Sequence, residues 1–411
     1  MMSAQTILDF SYDEFFADPW PVYKALRKTD PVHWSETFRA FLFTRSSDVV
    51  DLLGDRRVTS GFPMRSSRRL FGPNVLDSDG DDHRQMRKML TPTLGRSSVD
   101  RLRTEILVPA VDEVLDSIAA ELGSADELNI DFMARVAVRV PYAMITRLLG
   151  LPPEDAAWLR ERVLPLAGAM EFPASSSSLA MALAAKAELI AYLKKAIDKR
   201  RPGGAATFLD FLCPPNEPVD ESSLAFATLF MLGATETSVA TIGKVMYALL
   251  AHDIELSALA DAEYRNQVIR ETLRWEPPTH TIVRYSSTNM TIHGVDIPRR
   301  STLLLSLGSA SRDEALFSDP DKWRPGRSDQ RLLAFSAGPH TCLGAQLAFA
   351  EFDTLFECLS LRFAGVRRTD VLEDVRAGLW RLRERGHIFR QPDQLHVQVL
   401  SRHSERSAMH V

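Results

Sequence analysis

The run from Leu224 to Leu250 constrains the fold of this 411-residue chain more than any other segment. It is the longest apolar stretch in the sequence. A membrane span needs about 20 apolar residues with few charges. This run carries Thr235, Glu236, Thr237, Thr241 and Lys244, so it reads as a long helix crossing a protein interior, with no membrane involved. Hydrophobic residues make up 45% of the chain and charged residues 25%, which is ordinary globular composition and ample for a core. Two or three average domains or one large α-rich domain fit this length.

Helical periodicity dominates up to Trp275. Asp18-Pro19 opens a first helix with proline in its first turn. Val32–Trp34 and Ala40–Phe43 alternate like a short hairpin. Ser46 to Leu53 predicts a helix capped by Ser46 or Ser47. Residues 56–78 are rich in Gly, Ser, Pro and Arg and read as a loop. Residues 82–185 read mostly as helix, with a break near Phe172–Ser178. Extended segments are expected at 283–287, 290–292, 302–307 and 376–400. Residues 319–331 form a Pro/Gly-rich meander. Cys213 and Cys358 have no partners at metal or catalytic spacing and read as small buried hydrophobes.

Cys342 is different. It sits in Phe335-Ser-Ala-Gly338-Pro-His340-Thr-Cys342-Leu-Gly344, directly before the helical run Ala345 to Leu359. A helix N-terminus favours a negative sulfur, and backbone N–H groups of a tight loop can point at it. Gly338 and Gly344 permit backbone angles and close approaches that a Cβ forbids. Such a thiolate suits a metal held by one protein ligand.

The spacing Phe-x-x-Gly-x-His-x-Cys-x-Gly resembles the haem loop of the cytochrome P450 monooxygenases in their bacterial soluble form. The likeness extends over about residues 15–400. It implies a mainly α fold with small β-sheets, as one domain over 1–411, and haem b (iron protoporphyrin IX) with Cys342 as axial ligand. Phe335, Gly344 and Ala234 then adjoin the haem. His83 and Arg87, at i,i+4, resemble the family's His-x-x-x-Arg, and with Arg284 and His340 they are the expected propionate partners. Alone, such a pair reads more readily as a solvated helix face; Cys342 reverses that reading. Glu271-Thr-Leu-Arg274 and Arg327 resemble the family's ion network behind the haem.

The run Gly233-Ala234-Thr235-Glu236-Thr237 resembles the oxygen-activation motif. Glycine and a carboxylate inside an apolar helix are locally unfavourable, which often marks function. By resemblance, Gly233 and Ala234 leave room for dioxygen, Thr237 hydrogen-bonds oxygen there, and Glu236 relays protons. The sequence departs from the pattern at Ser336, Ser311 and Phe349, where glycine, asparagine and arginine are common.

Substrate contacts are expected from the 56–78 loop, residues 167–183, Phe226, Phe230, Gly233, Thr279, Ile282, Val283 and residues 386–394. Arg65, Arg68 and Arg69 read either as a solvated loop or as a receptor for an anionic substrate group. The net charge of −5 argues against nucleic-acid binding. The absence of a CxxC pair fits a reducing cytosol, and the N-terminus lacks a signal pattern. With no flavin, nucleotide or iron–sulfur signature, electrons must come from separate proteins, by resemblance a ferredoxin and its reductase. Arg84, Arg87, Lys88 and Arg96 read either as the docking patch for that ferredoxin or as a solvated face. The implied enzyme is a monomeric cytoplasmic monooxygenase that uses O2 on a lipophilic small molecule of specialised metabolism. Coupling, desaturation or nitration, or a non-catalytic haem sensor, remain open on the same residues.

Overall fold

The computed structural model describes residues 15, 18–199, 207–214, 217–328, 331–369 and 390–402. Its axis is the helix Glu221–Ala251. Asp220 caps it, accepting from the Ser222 backbone N–H at 3.1 Å and satisfying one of the otherwise unpaired first-turn donors. Thr235, Glu236, Ser238, Thr241 and Lys244 are buried along with its leucines. By length and composition alone it is apolar enough to cross a membrane, with mean hydropathy 1.3, yet 72% of that window is buried inside the molecule.

Two groups of helices pack on this axis. One comprises Arg139–Leu149, Ala156–Met170 and Ser176–Asp198; the other comprises Ala262–Trp275 and Ala345–Arg362. Gly243 allows the Met133–Ala137 π-turn to approach, because a Cβ there would run into the Met133 thioether. The buried Lys244 amine donates to the Pro277 carbonyl at 2.8 Å. Burial pulls its pKa down to about 7. Cys213 is buried, and Cys358 packs half-buried against the same core.

The strands are β1 Val32–Ser35, β2 Ala40–Phe43, β3 Val58–Thr59, β4 Glu127–Asp131, β5 Thr281–Ser286, β6 Met290–Ile292, β7 Val295–Ile297, β8 Thr302–Ser306, β9 Gly365–Arg368 and β10 His396–Leu400. They form a five-stranded sheet ordered β1-β2-β8-β5-β3, a three-stranded sheet β4-β10-β9, and the β6-β7 hairpin. The mainly α architecture with small sheets agrees with the sequence reading. The expected first hairpin is present, with Val32 opposite Phe43.

Three local expectations are corrected. The 56–78 segment is not all loop: it holds β3 and the short helix Ser66–Phe71. The buried Asp77 organises it, accepting from Ser67 Oγ at 2.8 Å and Asn74 Nδ2 at 2.9 Å. The helix Ser46–Gly54 has no serine side-chain cap; Asp313 accepts the Ser46 N–H at 2.7 Å instead. β4 lies inside the stretch expected to be helical, because its pairing comes from β10, far along the chain. The strand expected around Gly386 lies outside the described residues.

Ser336 and Gly338 are both in the left-handed region, at φ 63° and 69°. Ser336 also buries a hydroxyl without a partner. A non-glycine residue in that conformation costs roughly 1–2 kcal/mol. Ser336→Gly is therefore expected to raise the midpoint of thermal unfolding. Gly338→Ala is expected to lower it, since its Cβ would lie 2.6 Å from the Leu53 carbonyl oxygen. Melting curves of the two variants check both signs.

Candidate active site

The cysteine loop is built on backbone contacts. Cys342 N–H donates to the Phe335 carbonyl at 2.9 Å, and Thr341 N–H to Gly338 at 3.1 Å. The loop delivers Cys342 to the start of the Ala345–Arg362 helix, which Gly344 caps. The N–H groups of Gly344 and Ala345 both point at the sulfur. Burial nevertheless outweighs them and the nearby Arg87 charge, and pushes the free thiol pKa up. The helix terminus alone therefore does not make a thiolate; a bound cation is what deprotonates such a sulfur. Gly344 itself has φ −87° and no atom within 4 Å of a built Cβ. Its smallness answers to the space in front of it, not to a neighbouring part of the chain.

That space is a cavity of about 350 Å³, within the size range of small-molecule sites. Cys342 is enclosed by protein yet open to it. The cavity gathers Cys342, Phe335, His340 and Gly344 from the loop and His83 and Arg87 from the Gly80–Leu94 helix. The long helix contributes Phe226, Phe230, Gly233, Ala234 and Thr237, and the strand region contributes Thr279 and Ile282. Val75 and Leu76 line it from the 56–78 segment, and none of residues 167–183 does. A second cavity of about 240 Å³ shares Val75 and Phe226 with the first. Residues 386–389 lie outside the described residues.

Three of the expected residues fall elsewhere. Val283 points into the core beside Phe15, Tyr23 and Leu26, because alternation along β5 turns it opposite to Ile282. Arg284 is buried and donates to the Val283 carbonyl at 3.0 Å. Glu236 lies behind the cavity wall, where its carboxylate accepts from Tyr142 Oη at 3.0 Å. Thr237 faces the cavity, and its hydroxyl donates to the Gly233 carbonyl at 2.8 Å.

The corner where these residues meet is mostly basic. The His83 and His340 rings lie 4.0 Å apart, and His83 Nε2 is buried without a partner. Burial first, then the charges of its neighbours, pulls the His83 pKa down to about 4. Arg284 has no carboxylate within 4 Å among the described residues, and burial lowers its pKa to about 9. Asp79 is the one local acid; His340 contacts it at 3.1 Å, and Thr59, Ser60 and Gly61 donate to it. Arg65 is not free for an anion: it is ion-paired with Asp77 at 2.8 Å.

Behind the loop, Glu271 accepts two bonds from Arg274, each 2.8 Å, and one from Arg327 at 2.8 Å. Arg274 reaches on to the carbonyls of Ser311 and Pro320, and Arg327 to those of Asp319 and Lys322. This ties the Ala262–Trp275 helix to the meander that leads into the cysteine loop. It uses the Ser311 carbonyl, so serine in place of asparagine leaves it intact.

A family model described as Cytochrome P450 matches residues 251–366. The chain is 30% identical over 353 residues to the cytochrome P450 monooxygenase PikC of Streptomyces venezuelae, covering 82% of each. The chain belongs to the cytochrome P450 family. It is also 30% identical to a vitamin D(3) 25-hydroxylase of Pseudonocardia autotrophica, covering 82% of this chain and 84% of that one. The solved structure of the P450 enzyme CxnD superposes with a TM-score of 0.83 at 25% identity, covering 96% and 99%. P450 membership brings a haem cofactor and monooxygenase chemistry. The residues present fit that group: an orphaned imidazole nitrogen on His83, the Arg87 guanidinium, and two glycines that open onto one cavity with the thiol.

Sequence reasoning did not find Tyr142, Asp79 as a partner of His340, or the Ser238–Glu351 contact. Tyr142 carries no local signal. Glu351 does, as an acid in the row Leu347, Glu351, Leu355, Leu359.

Removing one partner from a buried ion cluster costs about 3–5 kcal/mol. Arg274→Ala is expected to lower the urea midpoint accordingly and to yield protein with little haem. Urea titration and the haem-to-protein ratio check this.

Proposed function

We propose that the chain is a haem-thiolate monooxygenase acting on a lipophilic small molecule of specialised metabolism. The carrying observation is one cavity that holds the Cys342 sulfur, aimed at by two N–H groups, together with Thr237 and the small residues Gly233 and Ala234. Cys342 would hold haem b, with His83, Arg87 and His340 open to its propionates, the buried Arg284 adding its charge nearby, and Phe335 on the wall beside it. When bound, its iron activates dioxygen so that one oxygen atom enters the substrate and the other leaves as water.

The chain's own residues do the rest. Apolar Phe226, Leu229 and Phe230 exclude water from the substrate side. Thr237 can turn its hydroxyl from the Gly233 carbonyl toward the cavity. Glu236 takes protons from the Tyr142 side and passes them toward Thr237, with Tyr142 holding the carboxylate in place. Electrons come from a ferredoxin and its reductase, and the protein works as a cytoplasmic monomer in one domain.

The second cavity supports an elongated substrate that passes Val75 and Phe226. A second reading, an outcome other than oxygen insertion, draws on the neighbour CxnD, whose structure is described for C–S bond formation. A haem sensor has no use for the Glu236–Thr237 pair.

Two measurements test the proposal. The reduced carbon monoxide spectrum is expected to show the thiolate-ligated band, lost in Cys342→Ser. With a surrogate ferredoxin system, Thr237→Ala is expected to release peroxide and lower product per electron; unchanged coupling removes Thr237 from the proposal. For substrate extent, Phe226→Trp is expected to abolish the spin-state shift with long ligands while sparing short ones.

A further inference from the structure

Lysine is almost never fully buried unless paired, yet Lys244 is 1% exposed in the apolar long helix. It lies two turns beyond Thr237 on the same face. Its amine leaves the helix for the segment Glu276–His280. There it donates to the Pro277 carbonyl at 2.8 Å and lies 4.0 Å from the Glu276 carboxylate. Pro277 and Pro278 have no N–H to offer a strand, and β5 starts only at Thr281. Their carbonyls still need donors. Lys244 serves that of Pro277, and the Arg390 backbone N–H serves that of Pro278 at 3.1 Å. Pro278 and Thr279 line the main cavity together with Gly233, Ala234 and Thr237 of the long helix.

Glu276 does not need this lysine. The carboxylate is 1% exposed, but Arg312 approaches it to 3.3 Å, Arg390 to 3.5 Å and His280 Nε2 to 3.1 Å. Burial keeps His280 neutral, with its pKa down to about 3, so two arginines already balance the one acid. Burying a third cation costs desolvation that the pair Glu276–Lys244, at 4.0 Å, does little to offset. The shorter contact of Lys244 is the carbonyl of the cavity wall. A residue that breaks a local rule without a structural return marks function. The same turn of the long helix is also where the third segment arrives: a Cβ on Gly243 would stand 3.3 Å from Pro392 Cδ. Lys244 thus sits where the long helix, the Glu276–His280 segment and the Arg390–Pro392 segment converge.

We propose that Lys244 is a positioning residue for substrate: it ties the Pro277–Thr279 wall of the cavity to the long helix and so fixes the width of the site between them. The tie acts through a carbonyl that no strand partner can hold, on a segment whose next anchor is the Gly308 N–H on the His280 carbonyl, at 3.0 Å. Without the amine the Pro277 carbonyl loses its donor and the wall relaxes. Ligands that reach the wall feel this, and ligands that touch only the iron do not. Such a role rests on the monooxygenase reading, which gives the wall a substrate to face.

The test compares parent holoenzyme with Lys244→Met, which keeps an apolar stem without the donor, and Lys244→Gln, which restores an N–H. Glu276 keeps both arginines in each, so both are expected to fold and to load haem. The probes are imidazole, small enough to touch the iron alone, and 4-phenylimidazole, whose ring extends into the substrate side; the Soret shift reads both. Lys244→Met is expected to weaken 4-phenylimidazole several-fold and to leave imidazole unchanged. Lys244→Gln is expected to show the same selectivity with a smaller loss, and carries the comparison alone if Lys244→Met does not fold. Amide hydrogen exchange across residues 276–282 is expected to quicken in the variants. Equal losses for the two probes, no loss for either, or unchanged exchange overturns the proposal. A parent without a Soret response to either probe counts instead against the haem-thiolate reading, and the exchange result still decides the tie.

Discussion

Glu271 is shared by two arginines in a buried site, and the cysteine loop depends on that sharing. A carboxylate there is stable only because Arg274 and Arg327 surround it with aligned donors, and the arginines are stable because backbone carbonyls of the meander take their remaining N–H groups. The consequence is geometric. Residues 318–327 have no sheet or helix of their own to hold them, and the clamp supplies their backbone with partners. With the meander held, the loop that follows it is delivered against Leu53, where only glycine at 338 fits.

The cavity forms between that loop and the long helix. Both walls give up packing there: Gly233 and Gly344 each leave open space where a Cβ would stand, and Cys342 faces the opening. The charge balance follows the same logic. His83 Nε2 is buried without a hydrogen-bond partner and Arg284 has no carboxylate within 4 Å among the described residues, while Asp79 is taken up by His340, Thr59, Ser60 and Gly61.

Much of this was legible beforehand. Cys342, His340 and Gly338 lie within a few residues, so local spacing carries their geometry. Thr237, Gly233 and Ala234 share a helix turn, and Glu271 with Arg274 shares another. What failed was local in another sense. Val283 and Glu236 sit next to cavity residues in sequence, and neighbours on a strand or helix point in different directions. Ser46 yielded its capping role to Asp313, and β4 took its pairing from β10, both contacts that no window of sequence contains.

By itself the sequence determined the family, the cofactor class and the burial of the long helix, because each depends on residue type at short spacing. Only the tertiary structure decided that Glu236 turns to Tyr142, that Arg65 is bound by Asp77, and that Glu351 stands unpaired beside Ser238. Those outcomes rest on which side chains from distant segments share a low-dielectric interior, where a missing partner costs as much as a present one contributes.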